Sequence, residues 1–227
     1  MDDEAGVEEL LKIKLIVIGN QGTGKSCILN RFVKDSFDES YQATIGLDFH
    51  SKNVTIHNQD IRLILYDTAG QEKFRSLIPM YIREAQIILL IYDIANKDSF
   101  DSIPKWMDEI SEVKNNDVIY ALVGNKIDLE KERVISFEEG KKFADDNKLL
   151  FQEVSAKSGK NIGNLFEIQI YEAIYNKFKT EFDKREANAI YDGYQEKYEN
   201  SNENVNNKVK LDQNKNNKDV KKKKKCC

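Results

Sequence analysis

Four short apolar runs stand out along the chain: Leu15–Ile18, Ile61–Tyr66, Ile87–Tyr92 and Val118–Val123. None alternates with polar residues. Strands of a parallel sheet covered on both faces lose that alternation, so the runs predict buried parallel strands. Helical spacing appears between them. Phe100, Ile103, Trp106, Met107 and Ile110 recur on one side of a predicted helix. Ser136 with Glu139 reads as a capping box before Lys141–Asn147. Leu165, Phe166, Ala173, Ile174 and Phe178 line one side of a last helix. Val54 and Ile56 do alternate, and Ile61 restarts a strand after Asn58–Asp60, which predicts one antiparallel hairpin. Strands alternating with helices give an α/β chain with a mostly parallel sheet and helices on both faces.

The apolar pattern thins after about Lys179, and from Asn200 the chain is largely Asn and Lys. Such a stretch cannot bury enough surface to offset its ordering entropy and is expected to be a disordered tether. The segment Glu181–Glu199, with Phe182, Ile190, Tyr191, Tyr194 and Tyr198, either extends the last helix or packs loosely. With 227 residues, the chain has room for one domain and a tail.

Charge sharpens the division. The formal net charge is −4, yet the first nine residues hold five acids and no base, and the last twenty hold nine lysines against Asp212 and Asp219. An acidic body with basicity confined to one end argues against nucleic acid and for an anionic membrane surface. No unbroken apolar run is longer than Ile87–Tyr92, which is far too short to span a bilayer. The acidic start lacks the plan of a signal peptide. Three cysteines, Cys27, Cys226 and Cys227, offer neither a disulfide framework nor metal-ligand spacing. Together these predict a cytosolic protein.

The chemistry lies in three motifs. Gly19-Asn20-Gln21-Gly22-Thr23-Gly24-Lys25-Ser26 is a full G-x-x-x-x-G-K-[ST] between a strand and a helix. Its N–H groups and the helix N-terminus would cradle phosphates. Lys25 would reach the β- and γ-phosphates, and Ser26 would offer its hydroxyl to Mg²⁺. Asp67-Thr68-Ala69-Gly70-Gln71-Glu72 follows the strand Ile61–Tyr66. There Asp67 would hold Mg²⁺ through water, the Gly70 N–H would approach the γ-phosphate, and Gln71 would place the attacking water. Asn125-Lys126-Ile127-Asp128 follows the fourth run. One carboxylate, that of Asp128, can accept both donors on the guanine edge, and Lys126 can lie over the base. Ser155-Ala156-Lys157 would supply a backbone N–H to the guanine oxygen. Cys27 lies beside Ser26 at the nucleotide and is read as packing, without redox chemistry. His50 and His57 are assigned no chemistry.

In this order, with Thr44 between the first two motifs, these residues resemble the Ras-like GTPases over roughly residues 10–180. The resemblance implies a P-loop NTPase G domain with a six-stranded sheet, five strands parallel and one edge strand antiparallel. It implies GTP/GDP and Mg²⁺ as ligands, and GTP hydrolysis that is slow unless stimulated. Thr44 would join Mg²⁺ in the GTP state, and its carbonyl would help Gln71 hold the water. Phe37 matches the aromatic that leans on guanine, and Tyr41 the tyrosine that covers the phosphates. Ile45–Phe49 and Lys73–Leu77 look like Rab segments. Gln21 and the stretch Arg75–Arg83 are most similar to subfamily six, whose members work in Golgi retrograde traffic. Tyr66 stands where Rabs usually carry Trp, which alters the effector-reading triad Phe49, Tyr66, Tyr81.

The end, Lys221–Lys225 then Cys226-Cys227, resembles the double-cysteine terminus that geranylgeranyl transferase modifies with an escort protein. The organisation expected is an acidic extension (1–9), a G domain (10–180), an Asn/Lys-rich tail (181–220) and a polybasic lipidated end (221–227). The implied partners are an exchange factor, a TBC-type activating protein, a dissociation inhibitor and effectors on the switches. The implied state is a monomer in the cytosol and on the cytoplasmic face of an endomembrane, with the Golgi favoured. A competing expectation is a GTP-loaded binding module with little hydrolysis, since Gln21 can crowd the γ-phosphate. A P-loop ATPase is opposed by Asp128.

Overall fold

The computed structural model describes residues 10–39, 44, 46–68, 78–114 and 118–186. The chain divides into two units, residues 1–177 and 178–227. The described part of the second, residues 178–186, is α-helical.

The first unit is built on strands β1 (Leu11–Ile18), β2 (Leu47–Ile56), β3 (Gln59–Thr68), β4 (Ile87–Asp93), β5 (Ile119–Asn125) and β6 (Leu150–Glu153). They form one sheet in the order β2-β3-β1-β4-β5-β6. Only β2 runs antiparallel to its neighbour. The six-stranded mixed sheet expected of a G domain is therefore present. β4 is one of the two central strands and is buried along its whole length, as an unbroken apolar run requires.

Helices α1 (Lys25–Lys34), α2 (Ile78–Glu84), α3 (Lys97–Asp101), α4 (Ile103–Ser111) and α5 (Phe137–Asp146) connect the strands. Side chains alternate across each strand, and two cores follow. Ile16 and Ile18 of β1, Ile88 and Leu90 of β4 and Leu122 of β5 pack with α2 to α5 through Ile82, Phe100, Trp106 and Ala144. On the other side Phe32 of α1 stacks on Phe166 at 3.8 Å between centroids. Phe166 belongs to a π-helical stretch, Asn164–Ile170, that residues 171–177 continue as α-helix.

Several sequence expectations need correction. Phe100 to Ile110 do not form one helix. The chain breaks at Ser102, and Pro104, which has no N–H to give, sits in the first turn of α4. The capping box is half formed. Ser136 Oγ accepts from the Glu139 N–H at 3.0 Å, but the Glu139 carboxylate is taken by Lys97 Nζ at 2.7 Å. The hairpin turns at His57–Asn58, both at positive φ (47° and 64°), which is the signature of a two-residue type I′ turn; Gln59 and Asp60 already belong to β3. Residues 181–186, which the sequence left open between helix and loose packing, are helical.

The β6 edge is blunted by side chains. Gln169 Nε2 donates to the Phe151 carbonyl at 3.1 Å, and Asn161 Nδ2 to the Glu153 carbonyl at 2.8 Å. Among the described residues no helix is long and apolar enough to cross a membrane.

Candidate functional site

From β1 the chain runs first to one side of the sheet, to β3 and β2, and then to the other, to β4, β5 and β6. A crevice opens at such a reversal, beyond the carboxyl ends of the parallel strands. The motif residues all lie at those ends. The Gly19–Ser26 loop follows β1, Asp67 and Thr68 finish β3, Asp93 finishes β4, Asn125 finishes β5, and Ser155–Lys157 follow β6. Between them is a cleft of about 600 Å³, within the range of small-molecule sites. Gln21, Gly22, Gly24, Lys25, Ser26, Cys27, Phe37, Thr44, Asn125, Lys126, Asp128, Ala156 and Lys157 line it. The structure thus brings together nearly all the described residues expected at a nucleotide.

At the phosphate end, α1 begins without a side-chain cap, so its first N–H groups face the loop. Gly24, at φ 89°, must be glycine, because a Cβ there would lie 2.2 Å from Asn125 Nδ2. Gly19 is as tightly placed, its hypothetical Cβ 2.2 Å from the Ile91 carbonyl oxygen. Lys25 Nζ donates to the Gly19 and Asn20 carbonyls, each at 2.9 Å. Burial pulls its pKa down to about 8, against the opposing pull of Asp67. A desolvated ammonium aimed by two carbonyls is a preset partner for an anion. Thr23 is buried and donates its hydroxyl to the Asn20 carbonyl at 2.9 Å. Cys27 lines the cleft with its thiol pKa raised by burial, which disfavours a reactive thiolate.

Ser26 Oγ and Thr44 Oγ1 are 2.8 Å apart. Asp67 is 3% exposed, and its Oδ1 is buried with no hydrogen-bond partner. Burial raises the Asp67 pKa, while a bond from Ser26 and the Lys25 charge oppose that rise. An orphaned buried carboxylate oxygen is costly unless a cation meets it. Two hydroxyls and one carboxylate, all oxygen donors beside a phosphate cradle, fit Mg²⁺. No group of three or more His, Cys, Asp or Glu side chains that could hold a metal by themselves occurs among the described residues.

At the base end, Asn125 is 1% exposed and holds two loops together. Its Nδ2 donates to the Thr23 carbonyl at 2.8 Å, and its Oδ1 accepts from the Ala156 N–H at 3.1 Å. Ser155 is fully buried, and its hydroxyl and Asp128 Oδ1 are 2.6 Å apart, which fixes the carboxylate at the mouth of the cleft. Lys126 has left-handed backbone (φ 69°), and its ammonium pairs with Asp93 Oδ2 at 2.7 Å. That pairing lays the Lys126 stem along the cleft, where it can cover a base.

Sequence reasoning missed three contributors. Asp93 anchors Lys126; its place at a strand's carboxyl end was the available signal. Trp106, on the apolar side of its predicted helix, is 3% exposed, but its Nε1 also donates to Asn20 Oδ1 at 3.0 Å and ties α4 to the phosphate loop. Arg31 reaches the 155–157 loop. The expectations for Tyr41, Gly70, Gln71, Cys226 and Cys227 lie outside the described residues.

One end of the cleft can hold a polyphosphate and the other a purine that carries two adjacent donors. The Ras family model matches residues 14–176, which hold every one of these motifs. The chain therefore belongs to the Ras family of small GTPases.

Proposed function

We propose that this GTPase is a Rab-type membrane-trafficking switch, close to subfamily six and linked to the Golgi. One convergence supports the nucleotide chemistry above all: the anion-binding Lys25 loop and the Asp128–Ser155 base reader face a single cleft, with Asn125 bridging them. The Rab assignment draws on Ile45–Phe49 and Lys73–Leu77. Phe49, 69% exposed, pairs across the hairpin with Tyr66, whose ring lies 5.1 Å from that of Tyr81. That aromatic surface suits an effector.

In this mechanism Lys25 and the N–H groups of Gly22–Lys25 take charge from the β- and γ-phosphates. Gln71 and the Thr44 carbonyl hold the attacking water in line. Asp128 and the 155–157 loop fix guanine. Ser26, Thr44 and, through water, Asp67 would hold Mg²⁺, which would supply positive charge to the phosphates. The hydroxyl of Ser26 serves both nucleotide states, and that of Thr44 only the GTP state. Ser26→Asn should therefore weaken GTP more than GDP, by about tenfold or more, because Thr44 can no longer complete the shell. Fluorescent-nucleotide titrations in magnesium buffer test this; equal GTP affinity for mutant and wild type would sink it.

Membrane attachment is assigned to two prenyl chains on Cys226 and Cys227 with the Lys221–Lys225 run beside them. Cys226→Ser with Cys227→Ser should leave the protein in the soluble fraction of lysed cells. Replacing the five lysines with Gln should cost about 1 kcal/mol each on anionic vesicles and remove the salt dependence. Membrane pelleting by the double cysteine mutant would refute the anchor.

A further inference from the structure

Arg31 belongs to none of the motifs. It lies six residues beyond Lys25 on α1, the helix that the phosphate loop opens. Its side chain is 16% exposed, and its guanidinium donates in three directions. Nε donates to the Ala156 carbonyl at 3.0 Å and Nη2 to the Lys157 carbonyl at 2.8 Å. Nη1 donates to the Asp35 carbonyl at 2.9 Å and to Asp35 Oδ1 at 3.2 Å.

These contacts join the two walls of the base end of the cleft. Ala156 and Lys157 form one wall, and Phe37, two residues past Asp35, belongs to the other. Asp35 caps α1 in the left-handed region (φ 48°), where a non-glycine residue needs support from its surroundings. The platform for both grips is rigid, because Ile28 and Leu29 are fully buried and Phe32 nearly so. In a trans peptide the N–H points opposite to the C=O. The grip on the Ala156 carbonyl therefore aims the Lys157 N–H away from α1. The Ala156 N–H is held by Asn125 Oδ1, so the loop is fixed at two successive peptides.

We propose that Arg31 is a positioning residue that sets the geometry of the base pocket, and through it the reading of the 6-oxo group of guanine and the retention of nucleotide. This rests on the assignment of the 155–157 loop to that oxygen. The guanidinium suits the task because its five donors are fixed in one plane and can serve several carbonyls at once. A lysine could satisfy only some of them, with a mobile point charge.

The test uses the full chain with Mg²⁺ and compares GDP with 6-thio-GDP, which differs from it only at the position the loop would read. Arg31→Ala should speed release of fluorescent GDP on the order of 10- to 100-fold, given the loss of several charge-assisted bonds. The wild type should prefer GDP to the thio analogue, and in Arg31→Ala that ratio should fall toward one. Arg31→Lys, which keeps the charge and the buried stem, should lie between, and it carries the test if the alanine variant unfolds. Faster release of both nucleotides with an unchanged ratio would mean a merely structural role and overturn the proposal, as would wild-type behaviour of either variant. A wild type that does not discriminate at position 6 would remove the premise. A wild type that binds no GDP would instead overturn the nucleotide reading itself.

Discussion

Asp128→Asn should lose affinity for GDP and GTP by about a hundredfold or more and gain affinity for the xanthine nucleotides. The carboxylate now offers two acceptors to the two donors of the guanine edge. Ser155, fully buried, already bonds Oδ1 and fixes the orientation of the group. An amide in this place sets a donor against the guanine 2-amino group, and a donor facing a donor in a desolvated pocket forfeits the bond and keeps the desolvation cost. Xanthine carries a carbonyl at that carbon and can accept instead. The exchange is one of hydrogen-bond polarity with almost no change of shape, so the fold should be unaffected. Competition titrations with GDP and xanthosine diphosphate measure both halves. Unchanged GDP affinity would mean that another group reads the base. A smaller, same-direction loss is expected where the carboxylate is merely released, by removing the Ser155 hydroxyl.

The parts of this molecule that were legible in sequence are those where burial or backbone strain leaves few options. β4 reads as a strand because both faces are covered and every residue from Ile87 to Tyr92 is apolar. Gly24 is demanded by a side chain that a Cβ would strike. By contrast β1 extends four residues ahead of the apolar run, where Lys12 and Lys14 interrupt it. Lys14 is tolerated because its ammonium pairs with Glu84 at 2.6 Å and its N–H donates to Gln86 Oε1 at 2.7 Å. Those partners lie some seventy residues away and leave no local trace. β2 is equally hard to see, as an edge strand whose residues alternate between half-buried and exposed.

The same division holds within the site. Motif residues that would touch nucleotide could be found because the chemistry fixes residue type and spacing. The residues that hold them could not. Asp93, Trp106 and Arg31 act through Lys126, Asn20 and the 155–157 loop, and each contact joins elements distant in the chain. A tryptophan at helical spacing looks like core whether or not its indole N–H has a partner. Its bond to Asn20 emerges only once α4 is laid beside the phosphate loop.

Gln71→Leu should nearly abolish unaided GTP hydrolysis while leaving GTP affinity close to normal. Phosphoryl transfer to water needs a nucleophile held in line and charge neutralised as the β–γ bond breaks; the protein contributes position and electrostatics, with little covalent chemistry. Lys25 is preset for the second task, buried and aimed by the Gly19 and Asn20 carbonyls. The first is assigned to Gln71, whose amide can accept from the water while donating toward the γ-phosphate. Leucine keeps the bulk and can do neither, and it leaves the phosphate and base contacts intact, so rate should fall and binding should not. Charge is the other half. The cations that line the described part of the cleft are Lys25, Lys126 and Lys157, and no arginine is among its described lining residues. The nearest candidate on α1, Arg31, is engaged with Ala156, Lys157 and Asp35. An arginine brought by an activating protein should therefore accelerate the wild type by about 10³–10⁵. A TBC-type activator that also brings a glutamine should partly restore Gln71→Leu, since the water can then be held in trans. Single-turnover hydrolysis with and without such an activator measures both effects. Wild-type unaided hydrolysis by Gln71→Leu would show that another group places the water.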